Sequence, residues 1–301
     1  MKTFFNIQVA ARRGILWACL FLSAGSMAQL KPLGGQYYIN QYLGNPAMAG
    51  LNKGLTVSAL LRGQFSNALG KPLSQAVTAE YQLKERAGLG LNLYTDQAGV
   101  LQQTVLLGTY AYHLPLNETG KLNFGMSLGM MKKNVVLSRV KGDPNDPLLA
   151  QYNREILIDG DFGVAYTSPK INLQATLPNL KHLFANETIS STIDRSTFFT
   201  AASYIFTTNE TATHTTLEPK ICYRGVKGMP NVFDAGTEVR FANDQVGLMA
   251  MYHSTKNSTW GLRLNFRSNI GVQMLYTTET RDVRYVPGSD FEINLNFKFQ
   301  K

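Results

Sequence analysis

Phe291-Glu292-Ile293-Asn294-Leu295-Asn296-Phe297-Lys298-Phe299 puts Phe291, Ile293, Leu295, Phe297 and Phe299 on one face of an extended chain and Glu292, Asn294, Asn296 and Lys298 on the other. Alternation with period two marks a strand whose two faces meet different surroundings. It recurs upstream: Leu122, Phe124, Met126, Leu128 and Met130 oppose Asn123, Gly125, Ser127 and Gly129, and Leu262, Leu264 and Phe266 oppose Arg263, Asn265 and Arg267. Soluble sandwiches alternate too, so periodicity alone does not choose between water and lipid. Length favours lipid, because a tilted bilayer crossing takes about nine to eleven residues whereas soluble strands average about five or six. The apolar faces stay apolar from end to end, and Tyr and Phe gather near segment ends, as in the interfacial girdles of outer-membrane barrels.

Working outward, such segments fall at about 54–65, 72–83, 86–96, 101–114, 120–135, 158–168, 170–177, 196–207, 213–225, 229–242, 244–254, 258–267, 269–279 and 289–299, fourteen in all. An even number suits a closed antiparallel barrel with both chain ends on one side. Closure is required in lipid, where each unpaired N–H or C=O of an open edge costs several kcal/mol. The expected fold is therefore all-β: a closed antiparallel transmembrane barrel of about 14 strands over residues 54–301. Long connections at about 136–157 and 178–195 both follow odd-numbered strands. With a periplasmic N-terminus they face outward, where such loops are long.

The chain opens with Lys2, Arg12 and Arg13, an apolar run from Gly14 to Leu22, and small residues ending at Ala28. That order is a secretory leader, with cleavage expected after Ala28. The run is too short to span a bilayer as a helix, which takes about 20 apolar residues. Acylation at Cys19 is the rival reading, but Leu16-Trp17-Ala18 matches it poorly and leaves almost no apolar run before the cysteine. Without the leader a single cysteine, Cys222, remains, so no intrachain disulfide is expected.

The net charge of +9 falls to +6 when Lys2, Arg12 and Arg13 are removed. No nucleic-acid partner is expected for an exported protein, so the excess cations suit lipid phosphates, a polar lumen or an acidic partner surface. Only 16% of residues are charged, low beside about 25% in soluble proteins. No catalytic cluster is read. Gly125-Met126-Ser127-Leu128-Gly129 fits the pattern of a serine-hydrolase elbow, yet its alternation continues unbroken where an elbow needs a sharp strand-to-helix turn. His113, His182, His214 and His253 lack metal-ligand spacing, and Asp143 and Asp146 are too few oxygens for a calcium site. Gly88-Leu89-Gly90 lacks the third glycine and the following helix of a dinucleotide site. No cofactor and no metal are expected. Arg62, Arg86, Arg263, Arg267 and Lys298 fall on or near polar strand faces, where they line a pore, anchor a plug or are simply solvated.

Residues 29–53 differ from the rest, being rich in Tyr, Gly and Asn, and read as a plug, a periplasmic binding segment or a disordered lead-in. Within them, Gln36-Tyr37-Tyr38-Ile39-Asn40-Gln41-Tyr42-Leu43-Gly44-Asn45-Pro46-Ala47-Met48-Ala49-Gly50 resembles the opening motif of the PorP/SprF family. Leu60-Leu61-Arg62-Gly63-Gln64-Phe65 is similar to that family's Tyr-Arg-x-Gln-Trp, with Phe65 in place of Trp. The stretches 87–96 and 121–129 continue the match, and Leu177-Pro178-Asn179-Leu180 looks like its Val-Pro-Asn-Leu. The resemblance covers about 36 to the C-terminus. It implies an outer-membrane protein of the type IX secretion system of Bacteroidetes. Its expected partners are outer-membrane lipid, secreted adhesin cargo of the gliding kind and periplasmic secretion subunits, and its action is protein binding without catalysis. Tyr42, Asn45, Pro46 and Gly50 are the candidate partner or plug contacts. The alternative is a passive or selective outer-membrane channel.

Overall fold

The computed structural model describes residues 35–65, 71–136, 139–140, 156–180, 196–209, 214–226, 231–266, 269–279 and 288–299. The expected leader, Asp143, Asp146, His182, Arg267 and most of the two long connections lie outside them. The strands are β1 (Leu55–Phe65), β2 (Leu73–Lys84), β3 (Ala87–Ala98), β4 (Leu101–Pro115), β5 (Lys121–Val135), β6 (Ile156–Thr167), β7 (Ile171–Leu177), β8 (Ser196–Tyr204), β9 (Phe206–Asn209), β10 (His214–Val226), β11 (Val232–Phe241), β12 (Val246–His253), β13 (Asn257–Phe266), β14 (Ile270–Thr277) and β15 (Ser289–Phe299). Each pairs antiparallel with its neighbour in sequence, and β15 returns to β1 with Leu55 opposite Phe299.

The ring is closed by fourteen crossings, because β8 and β9 both pair with β10 and are two halves of one crossing. The sequence reads this stretch as one strand; the interruption falls at Ile205. β7 begins at Ile171 opposite Tyr204, so the chain beyond Ile205 has only β10 beside it.

Burial is inverted relative to a water-soluble domain. Met126, Leu128, Met130, Leu248 and Trp260 point outward and are more than half exposed, whereas Asn123, Asp234 and Glu292 point inward and are at most 1% exposed. Aliphatic and aromatic side chains gain nothing from facing water in this way, so the exterior is built for lipid. Tyr81, Tyr112, Tyr252 and Phe299 stand exposed toward the ends of their strands, as a girdle requires.

The two ends of the barrel differ. Connections 136–155, 178–195 and 278–288 leave one end; 85–86, 116–120, 168–170 and 242–245 are at the other, where β1 starts and β15 finishes. The three longest connections thus share one end, which also carries the tight turns 99–100 and 254–256; in outer-membrane barrels the long loops face outward and the opposite end is the periplasmic one.

Candidate functional site

Residues 35–51 do not extend the wall. They fold into α1 (Gln36–Ile39), α2 (Gln41–Gly44) and a 3₁₀ turn (Pro46–Met48) before the chain enters β1. Four-residue helices are not stable alone; here caps and the surrounding wall hold them. Asn40 Oδ1 accepts from the Leu43 N–H at 3.2 Å, and Asn45 Oδ1 accepts from the Ala47 N–H at 3.0 Å with Pro46 at the first turn position.

The side chains of this segment reach strands all round the barrel. Gln36 Nε2 donates to Glu292 on β15 at 2.6 Å, and Gln36 Oε1 accepts from Asn294 at 3.2 Å. Tyr38 donates to the Lys220 carbonyl on β10 at 3.2 Å, Asn40 to Thr78 on β2 at 2.8 Å, and Asn45 Nδ2 to the Val164 carbonyl on β6 at 3.3 Å. Asn172 on β7 donates to Gln41 at 3.0 Å. A segment in contact with β2, β6, β7, β10 and β15 of a closed ring lies inside it, so residues 35–51 cross the lumen.

The wall makes room for the crossing with glycine. Gly90 on β3 faces Tyr42, Gly125 on β5 faces Pro46 and Ala47, Gly163 on β6 faces Asn45, and Gly88 on β3 faces Ala49. A Cβ at any of the four would overlap the segment. Gly50 has φ of +67°, a conformation that suits glycine, and lies against the Tyr81 carbonyl and the Gly88 Cα while its N–H donates to Glu80 at 3.1 Å. The Tyr42 hydroxyl bonds Thr109 at 2.8 Å, and Thr109 bonds Ser127 at 2.7 Å. His113 Nε2 is 3.1 Å from the Ala49 carbonyl and its Nδ1 is 2.8 Å from Asn123 Oδ1.

Charge fills much of the remaining lumen. Arg62 pairs with Asp290 at 2.9 Å and lies 3.6 Å from Glu292, the carboxylate that also holds Gln36. Arg263 and Arg240 pair with Glu238 at 2.6 and 3.4 Å, and Arg240 reaches Glu218 at 3.2 Å. Lys220 donates to the Tyr37 carbonyl at 3.3 Å and stands 4.4 Å from the centre of the Tyr38 ring. Arg224 pairs with Asp234 at 3.2 Å, and Asp234 also receives His253. In the segment, burial pushes the phenols of Tyr37, Tyr38 and Tyr42 well above their ordinary value, and the charges of Asp234, Glu218 and Glu80 respectively add to the rise. All three stay neutral at physiological pH. Beside the segment remains a cavity of about 120 Å³ bounded by Leu43, Leu60, Arg62, Asn92, Leu107 and Thr176 among others.

Among the described residues no cluster of His, Cys, Asp and Glu could hold a metal. Ser127 lies mid-strand, bonded to Thr109, with no histidine beside it among its hydrogen-bond partners.

The family described as "Type IX secretion system membrane protein PorP/SprF" matches residues 26–297. The chain belongs to the PorP/SprF family. Comparison with curated proteins finds no match. Among solved structures, this PorP/SprF member is similar to the toluene transporter TbuX of Ralstonia pickettii, with a TM-score of 0.52, 10% identity, and coverage of 92% of this chain and 96% of that one. It is also similar to the outer membrane protein Omp33 of Acinetobacter baumannii, with a TM-score of 0.49, 9% identity, and coverage of 83% and 100%. At these identities the likeness concerns the fold. The protein is an outer-membrane barrel of the type IX secretion system.

The stretch Gln36–Gly50 that carries the family resemblance is thus the stretch inside the lumen of this PorP/SprF member. Tyr42, Asn45 and Pro46 are buried there, and Gly50 makes the bend toward β1. Of the polar-face cations, Arg62 and Arg263 are in ion pairs and Arg86 sits in an exposed turn. Sequence reading set Gly88, Gly90 and Gly125 on small or lumen-facing strand faces without giving them a neighbour, and it missed Gly163 and the partnerships of Gln36, Thr78 and Glu292. The glycines carried a signal: each lies on the polar parity of its strand, where a side chain would otherwise enter the lumen.

Proposed function

We propose that this PorP/SprF member is a non-enzymatic part of the secretion apparatus that supports secretion or surface anchoring of adhesins through protein contacts, with residues 36–50 serving as a lumen plug. Its partners are secreted adhesin cargo, periplasmic secretion subunits and the surrounding outer-membrane lipid. Tyr42, Asn45, Pro46 and Gly50 act as plug contacts in this reading and not as direct partner contacts. The observation that carries it is the bonding of one segment to β2, β6, β7, β10 and β15 at once, which leaves cargo contacts to the loops and rims.

The second reading, a selective channel, draws on the cavity of about 120 Å³ beside the plug. Affinity isolation of the tagged barrel from its native outer membrane, with conductance of the same preparation in planar bilayers, separates the two. Recovery of a secreted adhesin or periplasmic subunits with a silent bilayer supports the binding role. Recovery of the barrel alone, with steady conductance, sinks it in favour of the channel.

A further inference from the structure

Among the described residues, the periplasmic rim is electrically lopsided. Lys298 ends β15, Lys53 precedes β1, Lys84 and Arg86 flank the β2–β3 turn, Lys121 opens β5 and Lys170 stands in the β6–β7 turn. These six cations follow one another along the arc from β15 through β1 to β7, with only Glu85 and Glu118 in the intervening turns. Lys53, Lys84, Arg86, Lys170 and Lys298 are exposed and Lys121 is half-buried. None of the six forms an ion pair within 4 Å among the described residues; Lys298 shares its level with Glu80 across β1. Across the ring, the β11–β12 turn shows Asn243, Asp244 and Gln245.

We propose that this basic arc is the docking surface for an acidic segment of a periplasmic protein, an inference that rests on the orientation and binding role given above. Lipid headgroups surround a barrel evenly, whereas the unpaired cations among the described residues of this rim occupy one side. Lys121 and Lys298 also stand on the lumen parity of their strands, with Asn123 and Asn296, and so crown the mouth and not the lipid belt. The arc adjoins the place where the plug leaves the lumen: Ala49 and Gly50 lie against Gly88, one residue from the β2–β3 turn with its Lys84 and Arg86. An acidic partner seated there touches the exit of the plug. Complementary charge of this kind governs encounter rate and specificity and is weakened by salt.

The test uses the full-length barrel in zwitterionic nanodiscs and a fluorescent peptide of alternating Glu and Ala, read by anisotropy across salt concentrations. Saturable binding that weakens with salt is expected, and Lys84→Glu/Arg86→Glu/Lys121→Glu/Lys170→Glu should lower affinity at least about tenfold. Asp244→Lys, on the far arc, should leave it unchanged. Heat-modifiable gel migration checks that each variant is folded. Equal binding by the fourfold variant overturns the proposal, as does binding of the peptide that does not respond to salt. Affinity isolation from the native membrane separates this failure from that of the binding role: partners recovered equally by the fourfold variant and the parent reject the arc and keep the role.

Discussion

Gly125 on β5 faces the backbone of Pro46 in the plug with no space for a side chain between them. The Gly125→Val variant therefore forces a choice between wall and plug. The wall is held by hydrogen bonds to β4 and β6 along its length, and the plug by a handful of side-chain bonds, so the plug is expected to give way. Overpacking of this sort costs typically about 1–3 kcal/mol. The variant should still run as a folded, heat-modifiable barrel and should conduct in planar bilayers where the parent is silent. A folded variant with unchanged conductance would show that the plug does not seal the lumen.

Cys222 reports the same event chemically. It is 1% exposed and packed in the cluster that contains Tyr37 and Tyr38. A maleimide is expected to leave Cys222 unmodified in the parent and to label it in Gly125→Val without denaturant. Equal labelling in both proteins would mean that the cluster opens independently of the plug.

Arg62 neutralises two inward carboxylates, Asp290 and Glu292, and Glu292 in turn holds Gln36. Removing one partner from a buried pair costs about 3–5 kcal/mol, because the remaining charge has no counterpart. Arg62→Met should lower the thermal unfolding midpoint, and adding Asp290→Asn and Glu292→Gln should restore much of the loss. A single variant as stable as the parent would show that water, and not Arg62, solvates those carboxylates.

The plug phenols predict an alkaline transition. A phenol that stays protonated when buried, against an unfolded value of about 10, favours the docked state fully below that value and loses its contribution as pH rises toward the docked value. Protease access to the plug should thus increase above about pH 10, while Tyr37→Phe/Tyr38→Phe/Tyr42→Phe should lack this component. An onset at the same pH in both proteins would assign the transition to other groups.

Much of the barrel was legible because a membrane strand writes its two faces into the sequence at period two. Leu122 to Met130 stated both the strand and which side met lipid, and the number of crossings followed. The break at Ile205 was not read, although it falls where the β10 register, between Lys220 opposite Ser203 and Leu217 opposite Phe206, carries Pro219, which has no N–H to give the ladder. The crossing segment was recognised by its composition and family motif, but its path was hidden. The partners of Gln36 lie 256 and 258 residues away, and no local pattern encodes such distances. The serine motif at 125–129, set aside on its unbroken alternation, has another use in the structure: its first glycine is spacing for Pro46, and its serine supports Thr109 beneath Tyr42.

The bond from Gln36 to Glu292 also dictates an order of assembly. Gln36 stands ahead of the first strand in sequence, yet its anchor is on β15, the last strand, which pairs with β1 to close the ring. The segment therefore cannot complete its bonds until β15 has joined β1. Seating and closure then become one cooperative step, with the slow kinetics of contacts between distant parts of a chain.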